Sequence, residues 1–263
     1  MRIRQRKPFT YGYNSIIEMD GAHAAALMDF GVLKFSEGQT ITDTTFKERA
    51  FLLISGEVEF AWKGQKVVAK RPSCFSAGPW CLHVPSNVPV NITGIQADAE
   101  VSVYKTKNGR SFESRLFTPE DCKVEMLGTG TMNETATRAV RTIFNKANRE
   151  ESNLLLGETI NFPGKWSSYP PHRHPQPEVY FYKFNLENGF GYAGLGEKVY
   201  KIINNDTLLI TLEVGHPQVA APGYAMYYTW AMRHFDNQPF LKPTFFNEYL
   251  WLNDKQSKFW PEL

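Results

Sequence analysis

The sequence predicts an all-β protein built from two β domains, and three observations carry this prediction. Short apolar or alternating runs recur along the chain. Turn-forming residues bound most of these runs, for example Ser55-Gly56, Lys63-Gly64 and Lys107-Asn108-Gly109. The same pattern of short apolar runs bounded by turn-forming residues is repeated in the C-terminal half. Closely spaced short strands favour a sandwich or barrel over alternating β and α units.

Predicted strands follow one another in both halves of the chain. In the first half they are residues 50–54, 57–62, 66–69, 81–84, 88–92 and 100–104. In the second half they are residues 154–160, 178–184, 198–203, 207–212 and 225–230. Residues 118–152 are more polar and are predicted to link the halves, although Arg138, Val140 and Thr142 alternate well enough for a strand. The chain is thereby divided into residues 1–117, 118–152 and 153–263.

Composition and charge restrict the function. The 263 residues can bury a substantial core, and 42% of them are hydrophobic. Lysine and arginine number 29 against 27 acidic residues, which is too balanced to favour a nucleic-acid or membrane partner. Three cysteines without a C-x-x-C pair predict neither a disulfide framework nor a zinc ribbon. No apolar run has the length of a signal peptide or membrane span, so we expect a cytoplasmic protein with a small-molecule or protein partner.

The stretch from Trp166 to Tyr182 contains the strongest chemical signal. His172 and His174 share a side if their segment is extended, which the neighbouring prolines favour. Glu178 follows after a short bridge, so the pattern is H-x-H and then a glutamate. Neutral imidazole and carboxylate groups are ligands for zinc, iron, manganese, nickel or copper. The pattern therefore predicts a metal site.

A metal site needs a further ligand from elsewhere in the chain. Two histidines lie downstream of predicted strands in the second half, His216 and His234. We prefer His216 because it directly follows the strand predicted within residues 206–214. Glu178, Tyr180 and Tyr182 would share one face of their strand, because side chains alternate between the faces of a strand.

The strings around these residues resemble a known family. The string HRHPQPE, residues 172–178, resembles the first cupin motif, and residues 206–216 resemble the second. GKWSSYPPHRH, EVYFY, KVY and HPQVAAPGYAMYY are similar to the uronate isomerase branch of the cupins, which includes enzymes of inositol and of pectin catabolism. In the first half, KERAFLLISGEVEF, HVPSNVPVNITG and AEVSVYKT resemble the metal-free N-terminal cupin of the inositol-pathway enzyme.

This resemblance implies a bicupin, with two double-stranded β-helix (jelly-roll) barrels. Residues 1–117 would form a barrel without metal, and residues 153–263 would form the metal-binding barrel. The resemblance also implies one divalent metal, for which we favour zinc, with manganese, iron or nickel as alternatives. The matching ligand positions are His172, His174, Glu178 and His216.

The resemblance further implies a metal-dependent aldose-ketose isomerase that acts on a deoxy-uronate. We favour conversion of 5-deoxy-glucuronate to 2-deoxy-5-keto-gluconate in inositol catabolism. The short bridge Pro175-Gln176-Pro177 departs from that enzyme and favours 5-dehydro-4-deoxy-D-glucuronate isomerase of pectin catabolism instead. A non-enzymatic sugar-binding cupin and a cupin dioxygenase are the alternatives from other classes, and a homo-oligomer is compatible with the sequence.

An isomerase of this kind also needs groups that move protons and bind the sugar acid. Tyr180 and Tyr182 are the candidates for catalysis because they share the face of Glu178. Tyr227 and Tyr228 are candidates for contacts with substrate hydroxyls. Arginine suits a carboxylate because its planar fork donates two parallel hydrogen bonds. Arg141, Arg173 and Arg233 are the candidates nearest the motifs, and Arg141 is preferred because its string, AVRTI, resembles a family position.

Overall fold

The computed structural model describes residues 1–254 and 256–262, and these residues are folded mainly as β-strands. In chain order, the strands of the first half are β1 (Arg2–Ile3), β2 (Gly12–Ile17), β3 (Asp29–Phe35), β4 (Thr40–Asp43), β5 (Glu48–Trp62), β6 (Gln65–Arg71), β7 (Cys81–Val84), β8 (Val90–Gly94), β9 (Ala99–Thr106) and β10 (Arg115–Phe117). Those of the second half are β11 (Glu125–Leu127), β12 (Arg138–Phe144), β13 (Leu154–Asn161), β14 (Trp166–Ser167), β15 (His172–Arg173), β16 (Glu178–Phe184), β17 (Phe190–Leu195), β18 (Lys198–Ile203), β19 (Thr207–Ile210), β20 (Gln218–Ala220), β21 (Met226–Arg233) and β22 (Thr244–Phe245). The prediction of an all-β fold is confirmed.

Helical structure within the described residues is limited to short 3-10 helices. They are Ala24–Ala26, Pro119–Asp121, Met132–Glu134 and Asn247–Asn253. Across the same residues, no helix combines the length and the apolar character that crossing a membrane requires.

The long strand β5 organises the first half. Its N-terminal part pairs with β7 and β9, and its C-terminal part pairs with β6 and β8. The sequence predicted two strands separated by a turn at Ser55-Gly56, and this detail is wrong. The register instead shifts between Leu53 and Ser55, and Gly56 has a φ of +95° with the backbone of Ala99 packed against it. Gly56 therefore bends β5, and the two parts of this one strand pair with different layers of the barrel.

The second half contains a large and a small antiparallel sheet. The large sheet has the order β1-β19-β16-β21-β13-β12-β11, and the small sheet has the order β14-β20-β17-β18. A buried cluster between them includes Tyr180, Tyr182, Ile202, Leu208 and Tyr228. This arrangement is a jelly-roll barrel whose interior is lined by the aromatic side chains of β16 and β21.

The segment expected as a linker contributes strands to the large sheet of the second half. Strand β12 pairs with β13 from Arg138, opposite Asn161, to Phe144, opposite Leu156. Strand β11 extends this edge by pairing with β12. Residues from the start of the chain also join this sheet, because Arg2 pairs with Leu208.

The two halves pack against each other through a shared core. Phe30 of the first half lies 5.4 Å, between ring centroids, from Phe181 of the second half. A buried ion cluster crosses the same interface: Arg71 of β6 donates to both carboxylate oxygens of Glu158 at 2.8 and 2.9 Å. Arg141 and the hydroxyl of Tyr227 also donate to Glu158, each at 2.8 Å. We call Arg71, Arg141, Glu158 and Tyr227 the Glu158 cluster.

Candidate metal centre and its cavity

Three of the four predicted ligands converge inside the second barrel. His174 and Glu178 flank the bridge between β15 and β16, and His216 lies in the segment before β20. One potential ligand atom from each lies within 4.8 Å of the others, and all three side chains are buried. His172 stands beside this group, with its ring centroid 5.0 Å from that of His216. The spacing of the motif thus brings the donors together as expected.

The three histidine rings are oriented in the same way. In each ring Nδ1 donates to a backbone carbonyl two residues away: His172 to Pro170 at 3.1 Å, His174 to Gln176 at 2.9 Å and His216 to Val214 at 3.0 Å. A carbonyl oxygen can only accept, so each Nδ1 carries the hydrogen and each neutral ring keeps the lone pair on Nε2. Backbone anchoring of the second nitrogen is typical of metal-binding histidines.

Burial keeps two of the three histidines neutral, which is the form that binds a metal. Burial, with His216 adding to it, lowers the pKa of His172 to about 4, and burial also lowers the pKa of His216. Burial opposes protonation of His174 too, but the hydrogen bond to Glu178 raises its pKa above the ordinary value. The lone pairs of His172 and His216 are therefore available at neutral pH.

The donor set fits a divalent metal. Nε2 of His174 and Nε2 of His216 lie 3.2 and 3.4 Å from the same oxygen of Glu178. Among the described residues, Nε2 of His216 is buried without a hydrogen-bond partner. A buried carboxylate oxygen that faces two imidazole nitrogens is stabilised by a proton on an imidazole or by a bound cation, and two imidazoles with a carboxylate suit zinc and the other first-row metals.

A cavity of about 290 Å³ adjoins this donor set. Polar groups on its wall are accompanied by aromatic and aliphatic side chains. It is lined by Leu127, Arg138, Val140, Thr159, Ser168, Tyr169, His172, Glu178, Tyr180, Tyr228, Trp230, Met232, Phe240, Pro243 and Phe245. The volume and the few convergent polar groups are those of a small-molecule site.

The tyrosines of the site differ in what their hydroxyls contact. Tyr180 and Tyr228 line the cavity, with ring centroids 4.7 Å apart, and their hydroxyls lie 3.1 and 3.5 Å from the hydroxyl of Ser168. Tyr182 lies deeper in the barrel and donates to the side-chain oxygen of Gln218 at 2.7 Å. The amide of Gln218 in turn donates to the backbone carbonyl of His216 at 2.6 Å. Tyr182 therefore supports the backbone of His216 and does not reach the cavity.

A C-terminal segment covers the mouth of the site. Strand β22 pairs with β15, so that Phe245 lies opposite His172. Their ring centroids are 5.7 Å apart, and the ring of Phe240 lies 5.2 Å from that of His174. Sequence reasoning missed this cover because it depends on a pairing across more than seventy residues, which no local pattern reports. The aromatic cover limits the access of water to the candidate ligands.

The structure corrects the expected placement of Arg141 and Tyr227. Both belong to the Glu158 cluster, on the face of the large sheet that packs against the first half, so neither lines the cavity. Strand alternation is the physical reason, since neighbouring residues point to opposite faces and Tyr228 faces the cavity. His234, the other histidine considered as a ligand, lies outside the donor group, with its Nδ1 accepting from the backbone of Phe240 at 3.0 Å.

Two jelly-roll barrels with a buried histidine and glutamate donor set in the second barrel define a protein of the cupin type. The chain belongs to the KduI/IolB family, which matches residues 2–252. The names of the family and of its curated relatives identify the protein as an isomerase.

Curated relatives and solved structures agree with this placement. The chain is similar to the 5-deoxy-glucuronate isomerases of Geobacillus thermodenitrificans, with 27% identity over 78% of this chain and 82% of the relative, and of Geobacillus kaustophilus, with 28% identity over 76% of each. An IolB-like protein from Salmonella typhimurium LT2 has a similar structure, with a TM-score of 0.83, 21% identity and coverage of 94% of this chain and 97% of that one. Oxalate decarboxylase from Lactobacillus farciminis shares the fold, with a TM-score of 0.65, 11% identity and coverage of 92% and 86%.

Proposed function

We propose that the protein is a metal-dependent aldose-ketose isomerase that converts 5-deoxy-glucuronate to 2-deoxy-5-keto-gluconate in inositol catabolism. The observation that carries the proposal is the buried donor set of His174, Glu178 and His216 beside a cavity lined by hydroxyl groups. The curated relatives are named for 5-deoxy-glucuronate, which favours this substrate. Three buried, unpaired cysteines, Cys74, Cys81 and Cys122, favour a reducing compartment such as the cytoplasm.

The proposed metal would be held by four residues of the second barrel. His174, Glu178 and His216 would bind it, and His172 would be the fourth ligand. A divalent metal at this position supplies Lewis-acid stabilisation of negative charge on a substrate oxygen. Zinc is the metal we favour, and manganese, iron and nickel share the ligand preferences.

The tyrosines of the cavity would donate hydrogen bonds to oxygens of the substrate. The reaction moves a proton between neighbouring carbons, so it needs hydrogen-bond donors to the oxygens that gain charge. Burial, with Glu178 adding to it, raises the pKa of Tyr180 well above its ordinary value, so its hydroxyl keeps the proton at neutral pH. Tyr180 therefore suits a donor to substrate oxygen, with Tyr228 and Ser168 beside it.

Metal analysis combined with an NMR isomerisation assay tests the proposal. The purified protein should contain about one divalent metal per chain and should convert 5-deoxy-glucuronate. Conversion of 5-dehydro-4-deoxy-D-glucuronate alone would reassign the substrate to the pectin pathway. Conversion of neither sugar acid by the metal-loaded protein would overturn the proposed function.

A further inference from the structure

Arg138 is the one arginine among the residues that line the cavity. It begins strand β12, and Val140, on the same face of the strand, lines the cavity with it. Arg141 lies three residues further along the strand and consequently points to the opposite face, into the Glu158 cluster. The strand thus presents one arginine to the cavity and another to the interface between the halves.

The guanidinium of Arg138 is held in place by neutral groups. Its Nη1 donates to the carbonyl of Ala136 at 2.8 Å, and its Nη2 donates to the carbonyl of Tyr169 at 3.1 Å. Within the described residues it forms no ion pair, whereas the buried Arg49 and Arg71 pair with Asp43 and Glu158. Burial lowers the pKa of Arg138. A guanidinium has five N–H donors, so Arg138 retains donors for a ligand.

Arg138 also lies where the cavity adjoins a second one. A second cavity of about 450 Å³ is lined by the loop from Gly128 to Met132 together with Pro170 and Asn253. Leu127, Arg138, Tyr169 and Phe245 line both cavities. A ligand that reaches from the donor set toward this loop therefore passes the guanidinium.

A second buried polar group lies next to Arg138. Asn161 is directly opposite Arg138 in the pairing of β12 with β13, so the two side chains stand on the same face. Asn161 is completely buried, and neither the nitrogen nor the oxygen of its amide has a hydrogen-bond partner among the described residues. Asn161 is not among the residues that line either cavity, so a ligand bound there would meet Arg138 rather than this amide.

We propose that Arg138 binds the carboxylate of the sugar acid and thereby selects uronates over neutral sugars, an inference that rests on the proposed function. The substrate would lie across the cavity, with its reacting end at the donor set and its carboxylate at Arg138. A planar guanidinium matches a carboxylate through two parallel hydrogen bonds, and the aromatic cover strengthens the interaction by limiting water.

Binding of D-glucuronate, measured by calorimetry, tests this assignment without relying on turnover. Arg138→Gln should weaken binding about 10- to 150-fold, because a hydrogen bond to a charged group contributes about 1.5–3 kcal/mol and each 1.4 kcal/mol is tenfold. Arg115→Gln is the matched control, since it removes the same charge from a half-exposed side chain in the first half of the chain, outside the cavity, and its affinity should stay that of the wild type. Unchanged affinity in a folded Arg138→Gln protein would overturn the proposal.

His174→Ala separates binding by Arg138 from binding by the metal. If Arg138 holds the carboxylate, the metal-free His174→Ala protein should still bind D-glucuronate, and it should bind the neutral methyl ester at least about tenfold more weakly. Equal binding of acid and ester would contradict the proposal, and this comparison needs no change at Arg138 if Arg138→Gln does not fold. If the wild-type protein binds D-glucuronate through Arg138 but converts no deoxy-uronate, the proposed reaction is refuted and the role of Arg138 in binding is not.

Discussion

Glu158→Ala should destabilise the protein by about 3–5 kcal/mol, the usual cost of removing one partner of a buried ion pair. The side chains of Arg71 and Glu158 are completely buried, and Arg71 donates to both carboxylate oxygens. After the substitution Arg71 keeps only neutral carbonyl partners, those of Leu53 at 2.8 Å and Ala77 at 3.1 Å. A buried guanidinium without a counter-charge is the main reason for the loss, and Arg141 and Tyr227 lose the same acceptor.

The free energy of unfolding, measured by urea denaturation, is the appropriate assay. Glu113→Ala is the control, because Glu113 forms an exposed ion pair with Lys63 at 3.4 Å and should change stability by at most about 1 kcal/mol. The double variant Arg71→Leu and Glu158→Leu should lose less stability than Glu158→Ala, because it leaves no unpaired charge at Arg71. The reasoning is refuted if Glu158→Ala costs no more than Glu113→Ala.

Further predictions concern the cavity, the pH dependence and the packing. Tyr180→Phe should lower kcat about 100- to 1000-fold with unchanged metal content, because it removes a hydrogen-bond donor and keeps the ring. Steady-state kinetics with metal analysis would show a structural role if metal were lost instead. Burial, with Lys146 adding to it, lowers the pKa of His234 from 6.5 to about 4, so the unfolded chain takes up the proton first. Stability should consequently fall as the pH drops from 6.5 toward 4, and denaturation of His234→Gln at several pH values should show a shallower dependence. Gly157→Ala should destabilise by at least about 1–3 kcal/mol, because its Cβ would lie 2.1 Å from the Trp230 ring, and an unchanged thermal midpoint would contradict that packing.

The convergence of the proposed metal ligands was predictable because most of them are close in sequence. His172, His174 and Glu178 lie within one short stretch of the chain, so they reach the same end of the barrel even though bends at Pro175 and Gln176 separate β15 from β16. His216 required only the expectation that a later strand returns beside the first. The alternation of side chains along β16 also predicted that Tyr180 faces the cavity. Tyr182 lies on the same face but farther along the strand. The contact of Tyr182 with Gln218 depends on β20, which no sequence pattern indicated.

The role of the polar middle segment could not be read from its own residues. Alternation at Arg138 and Val140 indicated a strand, and it also implied that Arg138 and Arg141 face opposite ways. Which of these faces lies inside the barrel is decided by the pairing of β12 with β13 and by the position of Glu158 on β13, both of which are long-range. Arg141 was preferred as the carboxylate ligand because its string resembles a family position, and the structure turns it to the interface.

His174→Ala provides the most direct test of a metal-dependent isomerase. His174 contacts Glu178 at 3.2 Å in the centre of the donor set, so its removal should release the metal while the rest of the barrel stays folded. Metal content and conversion of 5-deoxy-glucuronate should be measured on the same preparation, beside the wild-type protein. Loss of both metal and turnover is the predicted result, and full turnover by metal-free His174→Ala protein would contradict the proposal.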